Sequence, residues 1–358
     1  MNKKINYRGF ASLIFFLSES MFIGAGLNQI LNTSKNTSIL SCIFGIMIGL
    51  IIFYLYYKLS DYERDLDLTR KIEKLYGKKL GNIINILIII SVGLFFTYTL
   101  WNTEVYIQNK YLDNTPSFVI ILLFLIPIIY SLNKDFKVIS KLSILIFIIC
   151  LIEIILTIFG LISYLKIDNF KPFFLTDLKS TFKGTFYFIS LFFTPIFLLL
   201  IVPKNSIDNP KKATNNIIKF ILFSGLNILV MLIFIIGIFG IDFASTLNYP
   251  EFVLIKKINY FNFIEHIENI LSTQWLFSLY VTACVCILFI KKYLENKNIN
   301  TKFLYIFIIV TTFLSLNMFK NSTSGYNAIK KYYHLFITIP YFILLILSNI
   351  LIKIKRNN

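Results

Sequence analysis

Apolar runs of about 17 to 25 residues, parted by short polar intervals, recur along the whole chain. A helix of that length crosses a hydrocarbon core of about 30 Å, so the pattern predicts an all-α membrane protein. Ten transmembrane helices are expected, at about 10–31, 37–58, 82–107, 117–133, 142–165, 183–202, 216–240, 272–290, 303–319 and 335–352. The longest polar interval is only a couple of dozen residues, which leaves residues 1–358 as a single transmembrane domain. Lys3, Lys4 and Arg8 precede the first run as they would a signal peptide, but the run is too long and lacks a small-residue cleavage site. It is expected to be a retained helix.

Positive charge tests the helix count. With the N-terminus cytoplasmic, 24 of the 35 Lys and Arg residues fall in inner segments and 11 in outer ones. That is the asymmetry of the positive-inside rule, with both termini cytoplasmic. The formal net charge of +17 is scattered between apolar runs and not gathered on one domain, so no nucleic-acid partner is expected. Composition agrees, with 57% hydrophobic residues and a mean hydropathy of +0.74.

Ten helices divide as five plus five, and an odd number per half inserts the second half upside down. Repeat one would cover about 10–165 and repeat two about 183–354. The first and sixth helices then correspond, and both carry an interruption. "FFLSESMFIGAGLNQI", residues 15 to 30, holds Gly24, Ala25 and Gly26, while the sixth run holds Ser190 and the Thr194–Pro195 pair. Proline removes a backbone donor and glycine weakens a helix, so broken helices 1 and 6 are expected.

Backbone groups freed at a break attract a carboxylate at N–H and an ammonium at C=O, which suits a small zwitterion. Gly24, Ala25, Gly26, Ser190 and Thr194 are therefore the expected ligand contacts. Tyr98 and Thr97 would add hydroxyls from the third helix, and Phe186 and Phe192 an apolar wall. Among the 18 acidic residues only Glu19, Glu104 and Glu153 fall inside expected spans, and Glu104 is near an outer end. A carboxylate within a span costs about 2.5–3.5 kcal/mol on insertion scales, so it persists where it faces the bundle or water. Glu19 and Glu153, on the first and fifth helices, are the candidates for proton or cation coupling. The alternative for each is a structural hydrogen bond.

Catalysis finds no support. His266 and His334 are placed in outer segments, and no HExxH, GxSxG or phosphate-cradling glycine loop is present. The four cysteines fall within apolar runs and are expected to be buried, without disulfide or metal, and no cofactor is implied. Two loops are expected to form surface helices. One is the inner segment 58–81, solvated and closed by Gly77 and Gly81; the other is the outer segment 249–275, with Asn262, Glu265 and Asn269 on one face.

Several short stretches occur in a telling order: "LYGKKLG" (75–81), "DNTPSFVI" (113–120), "FKPFF" (170–174), and "NYPEF" leading to "FIEHIENI" and Trp275. In this order the chain resembles the B subunits of bacterial spore germinant receptors, within the amino acid–polyamine–organocation transporter superfamily. The resemblance implies a LeuT-type fold and a place in a receptor of the spore inner membrane. It further implies a subunit that binds a small germinant, usually an amino acid, and signals to A- and C-type partner subunits. A proton- or sodium-coupled amino acid permease is the alternative.

Overall fold

The computed structural model describes residues 4–22, 26–171, 177–258, 267–318 and 329–357. Its regular structure is helical, apart from a single parallel bridge between Ile5 and Ile207. The first half contains α1 (Tyr7–Glu19), α2 (Leu27–Ser34), α3 (Ser38–Asp61), α4 (Leu68–Tyr76), α5 (Lys78–Lys110), α6 (Ser117–Ser131) and α7 (Phe136–Leu161). The second contains α8 (Leu178–Phe193), α9 (Pro210–Phe239), α10 (Ile241–Thr246), α11 (Pro250–Ile255), α12 (Ile267–Leu271), α13 (Thr273–Asn296) and α14 (Phe303–Met318). A π-helix, Ile329–Thr338, then runs into α15 (Ile339–Asn357). Seven helical stretches among the described residues are long and apolar enough to cross a membrane, and α6 and α14 are shorter apolar helices. Large side chains such as Ile51, Phe159 and Phe313 are 64%, 70% and 65% exposed, as expected of a surface solvated by lipid.

The polar ends show which segments share a side. Ile5 N–H donates to Ser206 O at 2.8 Å, and Asn205 N–H to Arg64 O at 3.0 Å. Lys204 pairs with Asp61 at 2.8 Å, Lys297 with Glu73 at 2.6 Å, and Lys355 donates to Lys74 O at 2.7 Å. Lys291 reaches Leu132 O at 2.7 Å. Six segments that the charge pattern assigns to the inner side therefore meet on one face of the molecule.

Within the bundle, α3 lies against α8 along a stripe of small residues, Ser41, Gly45 and Gly49, spaced four apart so that they stack on one face. Ser41 Oγ donates to Thr181 O at 3.0 Å. A Cβ on Gly45 would meet Phe188 at 2.4 Å, and one on Gly49 would meet the Phe193 ring at 1.8 Å, so glycine is what lets the aromatic face of α8 approach.

Around both expected interruptions the described residues leave the regular α-helix. One helix ends at Glu19 and the next begins at Leu27. On the other side α8 ends at Phe193, and Pro195 opens a seven-residue 3-10 segment to Ile201. Phe197 N–H bonds to Thr194 O at 3.1 Å, which leaves Phe193 O for the Tyr56 hydroxyl at 3.1 Å. A carbonyl freed in the bundle is thus satisfied by a neighbouring helix.

The inner surface segment differs from expectation. In α4 Leu68, Ile72 and Leu75 are buried, and so is Lys71, so the segment is docked and not solvated. Gly77, at φ 82°, caps α4, but Gly81 belongs to α5, where a Cβ would meet Glu73 Cα at 2.6 Å. Asn262, Glu265 and His266 lie outside the described residues.

Candidate functional site

Two polar clusters flank the interruptions. The first surrounds Glu19, the last residue of α1, which is 4% exposed. Its Oε1 accepts from Asn227 Nδ2 of α9 at 2.8 Å and its Oε2 from Gln274 Nε2 of α13 at 2.6 Å. Glu153, from α7, sits at the N-terminus of α13, where Thr273 Oγ1 donates to its Oε1 at 2.6 Å and the Gln274 backbone N–H also donates. Orphan N–H groups and the dipole make a helix start a favourable place for a carboxylate. Residue 274 thus joins the two glutamates, its side chain on one and its backbone on the other. Glu153 Oε2 has no hydrogen-bond partner among the described residues.

A cavity of about 40 Å³ opens beside Glu19. Phe22, Asn227, Glu251, Gln274 and Trp275 line it with Glu19, and its described lining includes no lysine or arginine. The cavity has room for about one water molecule. It is a compact, acidic, amide-rich site between α1, α9, α11 and α13.

The second cluster centres on His334, which the sequence places in an outer segment. The structure corrects this: His334 is 5% exposed and sits inside the bundle on the π-helix. Pro340 cannot donate the N–H that an α-helix needs at that point, and the turns before it are widened to π geometry. Tyr333, His334, Ile337, Thr338 and Tyr341 then share the buried face. Gln29 Nε2 of α2 lies 3.0 Å from His334 Nε2, and Ser190 Oγ of α8 lies 2.5 Å from His334 Nδ1. Ser190 Oγ is also 2.5 Å from Thr338 Oγ1, to which Thr194 Oγ1 donates at 3.3 Å. The ring stacks on Tyr187 at 4.7 Å between centroids, with Phe186 at 5.6 Å.

The expected contacts divide accordingly. Ser190 and Thr194 converge on one network with His334 and Thr338. Gly26 faces α8, where a Cβ would lie 3.2 Å from Leu191 Cδ1. Gly24 and Ala25 lie outside the described residues. Tyr98 is buried 6.2 Å from the Tyr333 ring, and its hydroxyl has no hydrogen-bond partner among the described residues. Thr97 contributes nothing to the cluster, because its hydroxyl bonds back to Gly93 O at 2.9 Å. Phe192 is packed on Phe188 at 5.2 Å, and Phe22 reaches both rings. Gln29, Asn227, Gln274, His334 and Thr338 were missed. Neutral amides and hydroxyls within apolar runs are common enough that composition does not mark them, and His334 is one residue short of the expected span.

A family model for spore germination proteins matches residues 11–324. The chain belongs to that family. No curated protein matches the sequence significantly. Among solved structures, two mutant forms of a manganese transporter from Eremococcus coleocola are similar, each with a TM-score of 0.64 and 11% identity over 96% of this chain and 78% of that one. The same transporter in complex with an aromatic bis-isothiourea substituted compound gives a TM-score of 0.53. At this identity the likeness shows the fold, that of LeuT-like transporters. The protein is therefore a multi-pass membrane member of the spore germination family built on a transporter skeleton.

Proposed function

We propose that this spore germination protein is the membrane subunit of a germinant receptor that binds a small amino acid-like germinant between its two interrupted helices. The supporting observation is one buried polar network, in which Ser190 and Gln29 meet His334 and Thr194 reaches Thr338, with the buried Tyr98, whose hydroxyl has no hydrogen-bond partner among the described residues, against the neighbouring Tyr333 ring. A polar cluster in an apolar bundle costs stability unless satisfied, and a hydroxyl held without a partner is a ready donor for a ligand. Binding would favour one of two conformations, and the difference in affinity would be read by A- and C-type partner subunits. The role is binding and signalling, not catalysis, and it needs no cofactor.

Ten helices in a five-plus-five inverted repeat fit the way the inner segments gather, since two crossings separate each from the next. That reading puts both termini in the cytoplasm and the protein in the spore inner membrane. Its first and sixth helices would be the interrupted ones.

A proton- or sodium-coupled amino acid permease is the second reading, favoured by Glu19 and Glu153 meeting at the start of α13. One experiment separates the two. Purified protein in proteoliposomes is given a panel of labelled amino acids, and both binding and uptake are measured. Saturable binding without concentrative uptake supports the receptor, and uptake abolished by Glu153→Gln supports the permease. Absence of both for the whole panel would sink the amino acid-like ligand.

A further inference from the structure

A second and much larger cavity, of about 710 Å³, opens on the face that holds the N-terminal segment and the inner loops. Its lining comes from four separate parts of the chain. These are the residues before α1, the α6–α7 junction, the end of the 3-10 segment with its following turn, and the last turns of α13. Lys4, Lys134, Lys137, Lys291 and Lys292 all line it. Against these five ammonium groups stand two carboxylates, Asp135 and Glu295, of which Glu295 lies 3.5 Å from Lys292. The positive-inside bias explains lysines on this side of the membrane but not their convergence on one concavity.

Four of the five, all but Lys4, are half-buried. Lys291 spends its donors on Leu132 O and Lys134 O, which turns a fixed cation toward the cavity wall. Lys134 Nζ lies 4.9 Å above the Tyr130 ring. Partly desolvated like charges around one space repel one another, and low-dielectric walls strengthen that repulsion. A bound anion reverses the sign of the interaction. We infer that this inner vestibule is a binding site for a phosphate-bearing anion, either free or as the headgroup of an anionic lipid. Ile201 and Val202 line the same space, at the far end of the 3-10 segment that starts beside Thr194. An anion held there bears on the helix that carries Ser190 and Thr194.

The test uses the full-length protein in detergent with pyrophosphate as the soluble probe, and native mass spectrometry with phosphatidylglycerol as the lipid probe. The variants are the double substitution Lys134→Gln/Lys137→Gln and, as a control on the opposite side, Lys179→Gln/Lys183→Gln. Charge-assisted hydrogen bonds contribute enough that each lysine removed should weaken binding by about tenfold. The expected result is saturable thermal stabilisation by pyrophosphate, or retained lipid adducts, lost in the first variant and kept in the control. The arm that responds identifies the source. Equal stabilisation by sodium chloride at matched ionic strength, equal loss in both variants, or binding of neither probe to the wild type would overturn the inference.

Discussion

The side-chain amide of Gln274 donates a 2.6 Å hydrogen bond to Glu19, tying the start of α13 to the end of α1. Asn227 supplies the other donor, so one buried carboxyl holds three helices together. Gln274→Leu is expected to cost about 1–3 kcal/mol by stranding a buried acceptor. In a Glu19→Ala background the same change should cost less than half as much, because the acceptor is already gone. Chemical unfolding of the four proteins in detergent micelles measures this cycle. An equal cost in both backgrounds would mean that Gln274 acts through packing alone.

His334→Phe keeps the stack on Tyr187 and removes the hydrogen bonds to Gln29 and Ser190. The protein should still fold, while the half-saturating germinant concentration for spores carrying the variant should rise about tenfold, as expected for loss of one buried hydrogen-bonded contact. Dose-response curves of germination check it. An unchanged curve would place the ligand away from this network.

Much of the architecture is legible in the sequence because the bilayer imposes a strong rule: apolar runs of fixed length and lysines on one side. Pro195 and Glu19 were legible for the same reason, as groups that an apolar run tolerates only for cause. The partners were not. Asn227 and Gln274 look like ordinary neutral residues until three helices are brought together, and one-dimensional order does not say which faces meet. His334 was lost to a span boundary, since the π-helix that carries it begins six residues before the expected tenth run. Lys71 belongs to the inner segment expected to be solvated, but the structure buries it against the end of α3.

Close packing of α3 on α8 predicts a steric phenotype. Gly49→Ala would put a methyl group 1.8 Å from Phe193, itself fully buried and packed on Phe192 at 4.8 Å. Overpacking of this kind costs about 1–3 kcal/mol. Phe193→Leu should recover part of that loss when combined with Gly49→Ala, because it removes the ring that is struck. Thermal unfolding of the single and double variants decides between a clash and a general intolerance of substitution.

Lys71 yields a pH prediction. Its ammonium donates to Leu59 O at 3.1 Å and Ser60 O at 2.7 Å, capping the last carbonyls of α3. Burial, and then the nearby Lys204 charge, push its pKa down from the ordinary 10.5 to about 8. Between those values the unfolded chain keeps a proton that the folded protein has released, so raising the pH through this window favours the fold. Other lysines and tyrosines titrate there too, so the quantity to follow is the stability of the wild type minus that of Lys71→Met. That difference should be flat below about pH 7 and then move in favour of the wild type as pH rises from about 8 toward 10.5. The total gain is of the order of 3 kcal/mol, from about 1.4 kcal/mol per pKa unit. Unfolding in detergent micelles at closely spaced pH values measures it, and a flat difference throughout would show that the Lys71 amine keeps its proton as a solvated lysine does.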